Sequence, residues 1–250
     1  MEKIALLVAL VSFFVHTCAP LLSAQTPIKG QSSSGRQLFY SSALSTNGLS
    51  CAHCHADFDE RKQDDGRIRA AHSLYNGAGR KTWWGKNPED PDRFPNMASA
   101  ALVCIEDYMR SKQKLTAQQL LDLQKYLESI TRRPVSTPQV IAPAADKTGL
   151  YPGFEGGNKF KGRNFFYAAC HACHPNGNKG IAPAIPRDRE PAFYAKKIRE
   201  GNGLGAVLSG LDPNAYDPRL GLFMPFFGAD RLENEQISDI IAFIKSLPSP

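Results

Sequence analysis

Two stretches of the chain carry apolar residues at helical spacing. Leu120, Leu123, Tyr126, Leu127 and Ile130 form one set, and Ile237, Ile240, Ile241, Phe243, Ile244 and Leu247 form the other. Recurrence every three or four positions puts each set on one face of an amphipathic helix. Thr116 and Gln119 add a capping box at the start of the first. The two stretches align without gaps, Lys114-Leu115 falling on Arg231-Leu232 and Tyr126 on Phe243. A second matching pair lies upstream of each: Gly35-Arg36-Gln37-Leu38-Phe39-Tyr40 and Gly162-Arg163-Asn164-Phe165-Phe166-Tyr167. A unit that occurs twice predicts an architecture that occurs twice. Between the copies, Pro134, Pro138, Pro143, Pro152 and the Gly156-Gly157 pair interrupt any periodicity, which reads as a linker. The pattern predicts an all-α chain with one unit at 30–132, a linker at 133–157 and a second unit at 158–248.

The N-terminus has a different pattern. Met1-Glu2-Lys3 precedes an apolar run from Ile4 to Val15, and Leu21, Leu22, Ser23 and Ala24 follow. Charged, apolar and small-residue regions in that order predict a signal peptide over 1–24, removed before about Gln25. The run is shorter than the roughly 20 residues that cross a bilayer, so no stable membrane span is expected after cleavage. Cys18 falls inside this segment, and Val15-His16-Thr17 before it makes a poor lipoprotein site. Export points to a periplasmic location and to an oxidising compartment, where cysteines ordinarily pair as disulfides.

Composition changes this picture little. With 250 residues and 42% apolar content the chain can build one or two domains. Lys and Arg outnumber Asp and Glu by 30 to 24, but no basic block of the kind that tracks a phosphate backbone appears, which argues against nucleic acid as a partner. The charged run from Asp57 to Arg67 reads as a solvated loop, and its acidic spacing matches no calcium loop.

The remaining cysteines carry the chemistry. Cys51-Ala52-His53-Cys54-His55 and Cys170-His171-Ala172-Cys173-His174 are both C-x-x-C-H. Two thiols three positions apart can add to the two vinyl groups on one porphyrin edge, and the following histidine then reaches the iron. A redox dithiol or a zinc site is the alternative reading of one such motif. Two motifs in an exported chain favour two covalently bound haem c groups. Cys51, Cys54, Cys170 and Cys173 would be the attachment points, and His55 and His174 the first axial ligands.

The order Gly-x-x-x-aromatic, C-x-x-C-H, then a closing helix with an aromatic resembles the class I cytochrome c fold, present here as a tandem duplication. The resemblance implies that first and last helices cross at the glycine, pairing Gly35 with Tyr126 and Gly162 with Phe243. It also places Met224, in the segment Gly221-Leu222-Phe223-Met224-Pro225-Phe226-Phe227, as the second haem's sixth ligand. For the first haem the candidates are Cys104 and Met109, with His72 and Met97 also available. The stretch from Gly48 through Cys51-Ala52-His53-Cys54-His55, with Cys104-Ile105-Glu106-Asp107-Tyr108-Met109 downstream, is similar to the haem domain of SoxA and thiosulfate dehydrogenase. That resemblance implies ligation by Cys104 and, if the chain is an enzyme, a catalytic role for it. Cys104 also has no cysteine left to pair with once the four haem cysteines are assigned. His72-Ser73-Leu74 and Trp83-Trp84-Gly85 resemble the loop between the haems of dihaem peroxidases. The function expected is single-electron transfer between other redox proteins. The alternatives are oxidation of a sulfur compound at the N-terminal haem with the C-terminal haem as electron exit, and a dihaem peroxidase.

Overall fold

The computed structural model describes residues 29–80, 83, 94, 97–134, 142–217 and 223–248. The predicted signal segment, Cys18, Trp84 and Gly85 lie outside these residues. The described chain is helical. The first half contains α1 (Ser32–Tyr40), the single turn α2 (Cys51–Cys54), α3 (Met97–Val103) and α4 (Ala117–Ser129). The second contains α5 (Lys159–Ala169), α6 (Pro191–Glu200), the short α7 (Leu204–Leu208) and α8 (Asn234–Ser246). Trp83 and Phe94 form an isolated antiparallel β-bridge.

Each half is organised by one helix crossing. α1 packs on α4, and α5 packs on α8. The approach is too close for a side chain at the crossing point. A Cβ on Gly35 would stand 2.0 Å from the Asp122 carbonyl oxygen, and one on Gly162 would stand 1.8 Å from that of Asp239. Glycine is the residue that permits backbones to approach this closely. The expected partners need correction in one half. Tyr126 Cβ does lie by Gly35, but the atoms nearest Gly162 belong to Asp239 and Ile240. Phe243 instead sets its ring against Phe166, with centroids 5.2 Å apart, as Tyr126 does against Phe39 at 5.7 Å.

Two buried carboxylates repeat with the crossings. Asp122 accepts the backbone N–H of Gln31, the N-cap of α1, at 2.7 Å, and Asp239 accepts that of Asn158, the N-cap of α5, at 2.6 Å. Each satisfies a helix-terminal donor that would otherwise be orphaned. The Thr116 hydroxyl accepts from Gln119 N, and the Gln119 side chain returns to Thr116 N, forming the expected capping box at α4.

The second core is the larger, built around Phe166, Ile198, Ile237, Ile240, Ile241 and Ile244. Part of the predicted linker belongs to it. Tyr151 and Phe154 are buried there, and the Tyr151 hydroxyl donates to Glu200 at 2.7 Å. Residues 135–141, Pro138 among them, lie outside the described residues; the described part of the linker forms no helix, and its two aromatics anchor it as an irregular strap. Asp57–Arg67 has no buried residue and is exposed over 61–66, as expected of a solvated loop, but its ends are held by partners. Asp57 accepts from the hydroxyls of Tyr40 and Tyr126, Asp65 pairs with Arg69, and Glu60 takes a two-point ion pair from Arg231 of the second half.

Candidate haem sites

Each C-x-x-C-H motif opens on its own cavity. Ser50 starts the first motif: its backbone N–H donates to His53 Nδ1, the side-chain half of a capping box that sets the α2 turn. The turn brings Cys51, Cys54 and His55 to one wall of a cavity holding ≈ 1460 Å³ of empty space, its open mouth included. Cys170, Cys173 and His174 line a second cavity of ≈ 890 Å³ measured the same way. Cofactor sites are usually concave and largely apolar.

Both histidines are presented in the same manner. His55 Nδ1 lies 2.7 Å from the His72 carbonyl oxygen, and His174 Nδ1 lies 2.8 Å from that of Pro183. A carbonyl only accepts, so each Nδ1 carries the proton and each Nε2 keeps its lone pair. This is the outer-shell arrangement that orients metal-binding imidazoles. Burial pushes the His55 pKa down to about 4 and lowers that of His174, so both rings are neutral and ligand-ready at neutral pH. Burial also pushes the thiols up, Cys51 to about 11 and Cys54 and Cys170 to about 12. None of the five described cysteines is in a disulfide. Paired thiols and one correctly oriented imidazole, facing an apolar cavity, fit a thioether-bound haem.

Opposite the first motif, α3 runs into a π-helical turn, Cys104–Tyr108, closed by the Met109 N–H on the Cys104 carbonyl at 2.8 Å. Such turns recur at functional sites. Cys104, Met109 and Met97 all line the first cavity. Burial, reinforced by the neighbouring Cys51 and Cys54, holds the Cys104 thiol well above its ordinary range. It is therefore a protonated thiol unless a metal takes it. His72 also reaches the first cavity, but its ring is hydrogen-bonded to Asp230 at 2.7 Å and its own carbonyl holds His55, so it stands on the His55 side.

In the second cavity Met224 lies with Cys170, Cys173 and His174. Its backbone is clasped by Asn202, which accepts from Met224 N and donates to Met224 O, both at 3.1 Å. Arg199, 1% exposed, fixes the next few residues by donating to the carbonyls of Phe227 and Gly228 at 2.9 and 3.0 Å and to Asn234 at 2.6 Å.

The two cavities adjoin. Leu49, Cys54, Ala70, Phe223 and Pro225 line both. Each half also supplies wall to the other's cavity: Arg67 and Ile68 reach the second, and Phe226 and Arg231 the first. Sequence reasoning missed Arg231, Arg199, Phe223 and the pair Asp122 and Asp239. The last could have been found, since the two aspartates fall on each other in the gapless alignment of the closing helices. The others have no periodic or motif signal.

Residues 160–248 match the family model for cytochrome c. The second half thus matches the cytochrome c family, whose members carry covalently bound haem c and transfer electrons. Among solved structures the chain is similar to thiosulfate dehydrogenase (TsdBA) from Marichromatium purpuratum, "as isolated" form. That match has 16% identity and a TM-score of 0.38, covering 86% of this chain and 45% of that one, so this chain spans under half of its length. No curated protein matches. No described helix is long and apolar enough to cross a membrane.

Proposed function

We propose that the chain is an exported, periplasmic dihaem cytochrome that passes single electrons between other redox proteins, with one haem in each half. The observation that carries this reading is the repetition of the whole donor set. Two cysteines and a histidine with its Nδ1 tied to a backbone carbonyl occur twice, each facing its own cavity. In this reading Cys51, Cys54 and His55 hold the first haem, and Cys170, Cys173 and His174 the second. A bound haem supplies a reversible one-electron couple whose potential depends on axial ligand and burial. The chain's part is to fix the ligands and keep water out. Met224, clasped by Asn202, is the sixth ligand of the second site. Cys104 or Met109 serves the first, and His72, held by Asp230, does not.

A second reading, oxidation of a sulfur compound at the first haem, is favoured by one observation. Cys104 lines the same cavity as Cys51, Cys54 and His55 and sits on the π-helical turn. A reductive titration followed by thiosulfate with ferricyanide as acceptor separates the readings. Two reversible one-electron steps without thiosulfate consumption support the carrier. Catalytic consumption that Cys104→Ala abolishes supports the enzyme. Failure to find reversible one-electron steps contradicts both.

A further inference from the structure

The segment that carries Met224 also touches the opposite side of the first cavity. The Phe223 ring stacks on Tyr108 with centroids 4.3 Å apart and planes 13° from parallel. It packs as well on the buried cluster of Leu49, Ile105, Met109 and Leu115. Tyr108 ends the π-helical turn that begins at Cys104 and leads into Met109. From the other direction the turn is held by the 46–47 loop, where Asn47 Nδ2 donates to the Tyr108 carbonyl at 2.7 Å and Thr46 N to that of Met109 at 3.2 Å. The turn is thus gripped between a loop of its own half and rings of the other, Phe223 stacked on Tyr108 and Tyr216 edge-on to it at 6.1 Å.

We propose that Phe223 is a positioning residue for the sixth ligand of the first haem, acting across the junction between the halves through its stack on Tyr108. The inference rests on the dihaem reading. The physical reason lies in the π turn itself. It holds one residue more than an α turn, so relaxing it to α geometry would rotate everything beyond it by about 100° relative to Cys104. That rotation would carry Met109 away from the cavity wall it now shares with Cys104. The grip on Tyr108 is what holds the extra residue in place. An aromatic stack is strong enough to bias such a register by roughly 2- to 10-fold.

The test uses the haem-loaded full chain and the variants Phe223→Leu, Phe223→Tyr, Tyr108→Leu and the double Phe223→Leu/Tyr108→Leu. Electron paramagnetic resonance of the oxidised protein reads the first haem's ligation, and the part of the weak red band of ferric Met ligation that Met224→Ala removes reads Met224. Expected is a second ligation form of the first haem in Phe223→Leu, its proportion rising roughly 2- to 10-fold. Phe223→Tyr should restore the wild-type signal, and the red band should persist throughout. Tyr108→Leu reaches the same stack from the other half, so the inference stays testable if one variant fails to fold. The double variant should go no further than Tyr108→Leu alone, because that variant already removes the Phe223 stack together with the Tyr216 contact. An unchanged first-haem signal in either single variant overturns the inference, as do additive effects. A wild-type count below two haems per chain would instead remove the dihaem reading beneath it.

Discussion

Gly162→Ala tests the helix crossing that frames the second site. The added methyl carbon would stand 1.8 Å from the Asp239 carbonyl oxygen, 2.3 Å from its carbon and 2.9 Å from Ile240 N. All three are backbone atoms, so no rotamer change relieves the contact. α5 and α8 must separate by more than an ångström, which stretches the 2.6 Å bond from Asn158 N to Asp239 and loosens the Phe166–Phe243 packing. Alanine returns about 1 kcal/mol of helix propensity, while overpacking and the lost contacts cost about 3–5 kcal/mol together. The net destabilisation is about 2–4 kcal/mol, a fall in Tm of roughly 5–15 °C for a chain of this size. Guanidinium unfolding followed by circular dichroism, with Gly35→Ala as a replicate in the other half, measures it. A change under about 0.5 kcal/mol, the range of ordinary surface substitutions, would refute the close crossing.

Met224→Ala should lower the second site's potential and remove the red band of Met ligation, because a thioether raises the potential of haem iron; loss of the band in Met109→Ala instead would move that assignment to the first half. Cys104→Ala should abolish a thiolate-type electron paramagnetic resonance signal of the first haem if Cys104 ligates, whereas a signal unchanged by it but altered by Met109→Ala makes Met109 the ligand. Acid should destabilise the chain in a defined window. His55 is held near 4 against 6.5 when unfolded, so the unfolded state takes the proton first, and the stability present above pH 6.5 falls as pH drops toward 4. The loss amounts to about 3 kcal/mol, and a stability profile flat between those pH values would contradict it. A double-mutant cycle of Glu60→Gln with Arg231→Gln should give a coupling of about 1–2 kcal/mol, above the value of an exposed pair, since the bond is two-pronged and partly buried; zero coupling would mean the contact adds nothing to holding the halves together.

The closing helices were legible in the sequence because their apolar period is uninterrupted and Thr116 marks a start. The glycine crossing was legible as a motif, but its partner was read from an aromatic when the true contact is the Asp239 backbone. Sequence spacing marks which side chains share a face, not which backbone atoms meet. The C-x-x-C-H motifs gave the donor types, while the carbonyls of His72 and Pro183 that orient the rings could not be read, because any residue supplies a carbonyl. The charge run from Asp57 to Arg67 was read correctly as solvated, but composition records only that a segment is polar, and Glu60 found its partner 171 positions away at Arg231. Phe223 carried no signal of its own, and only the proximity of the two cavities gives it a partner in the other half.

The central claim is that both motifs carry haem. Denaturing mass spectrometry of the mature protein, purified from a host able to attach haem c, tests it alongside the pyridine haemochrome spectrum. The account predicts a mass increase of two haem groups per chain. It also predicts that Cys51→Ala/Cys54→Ala loses only the first and Cys170→Ala/Cys173→Ala only the second. One haem in the wild type, unaffected by Cys51→Ala/Cys54→Ala, would contradict it and leave the first cavity to some other chemistry.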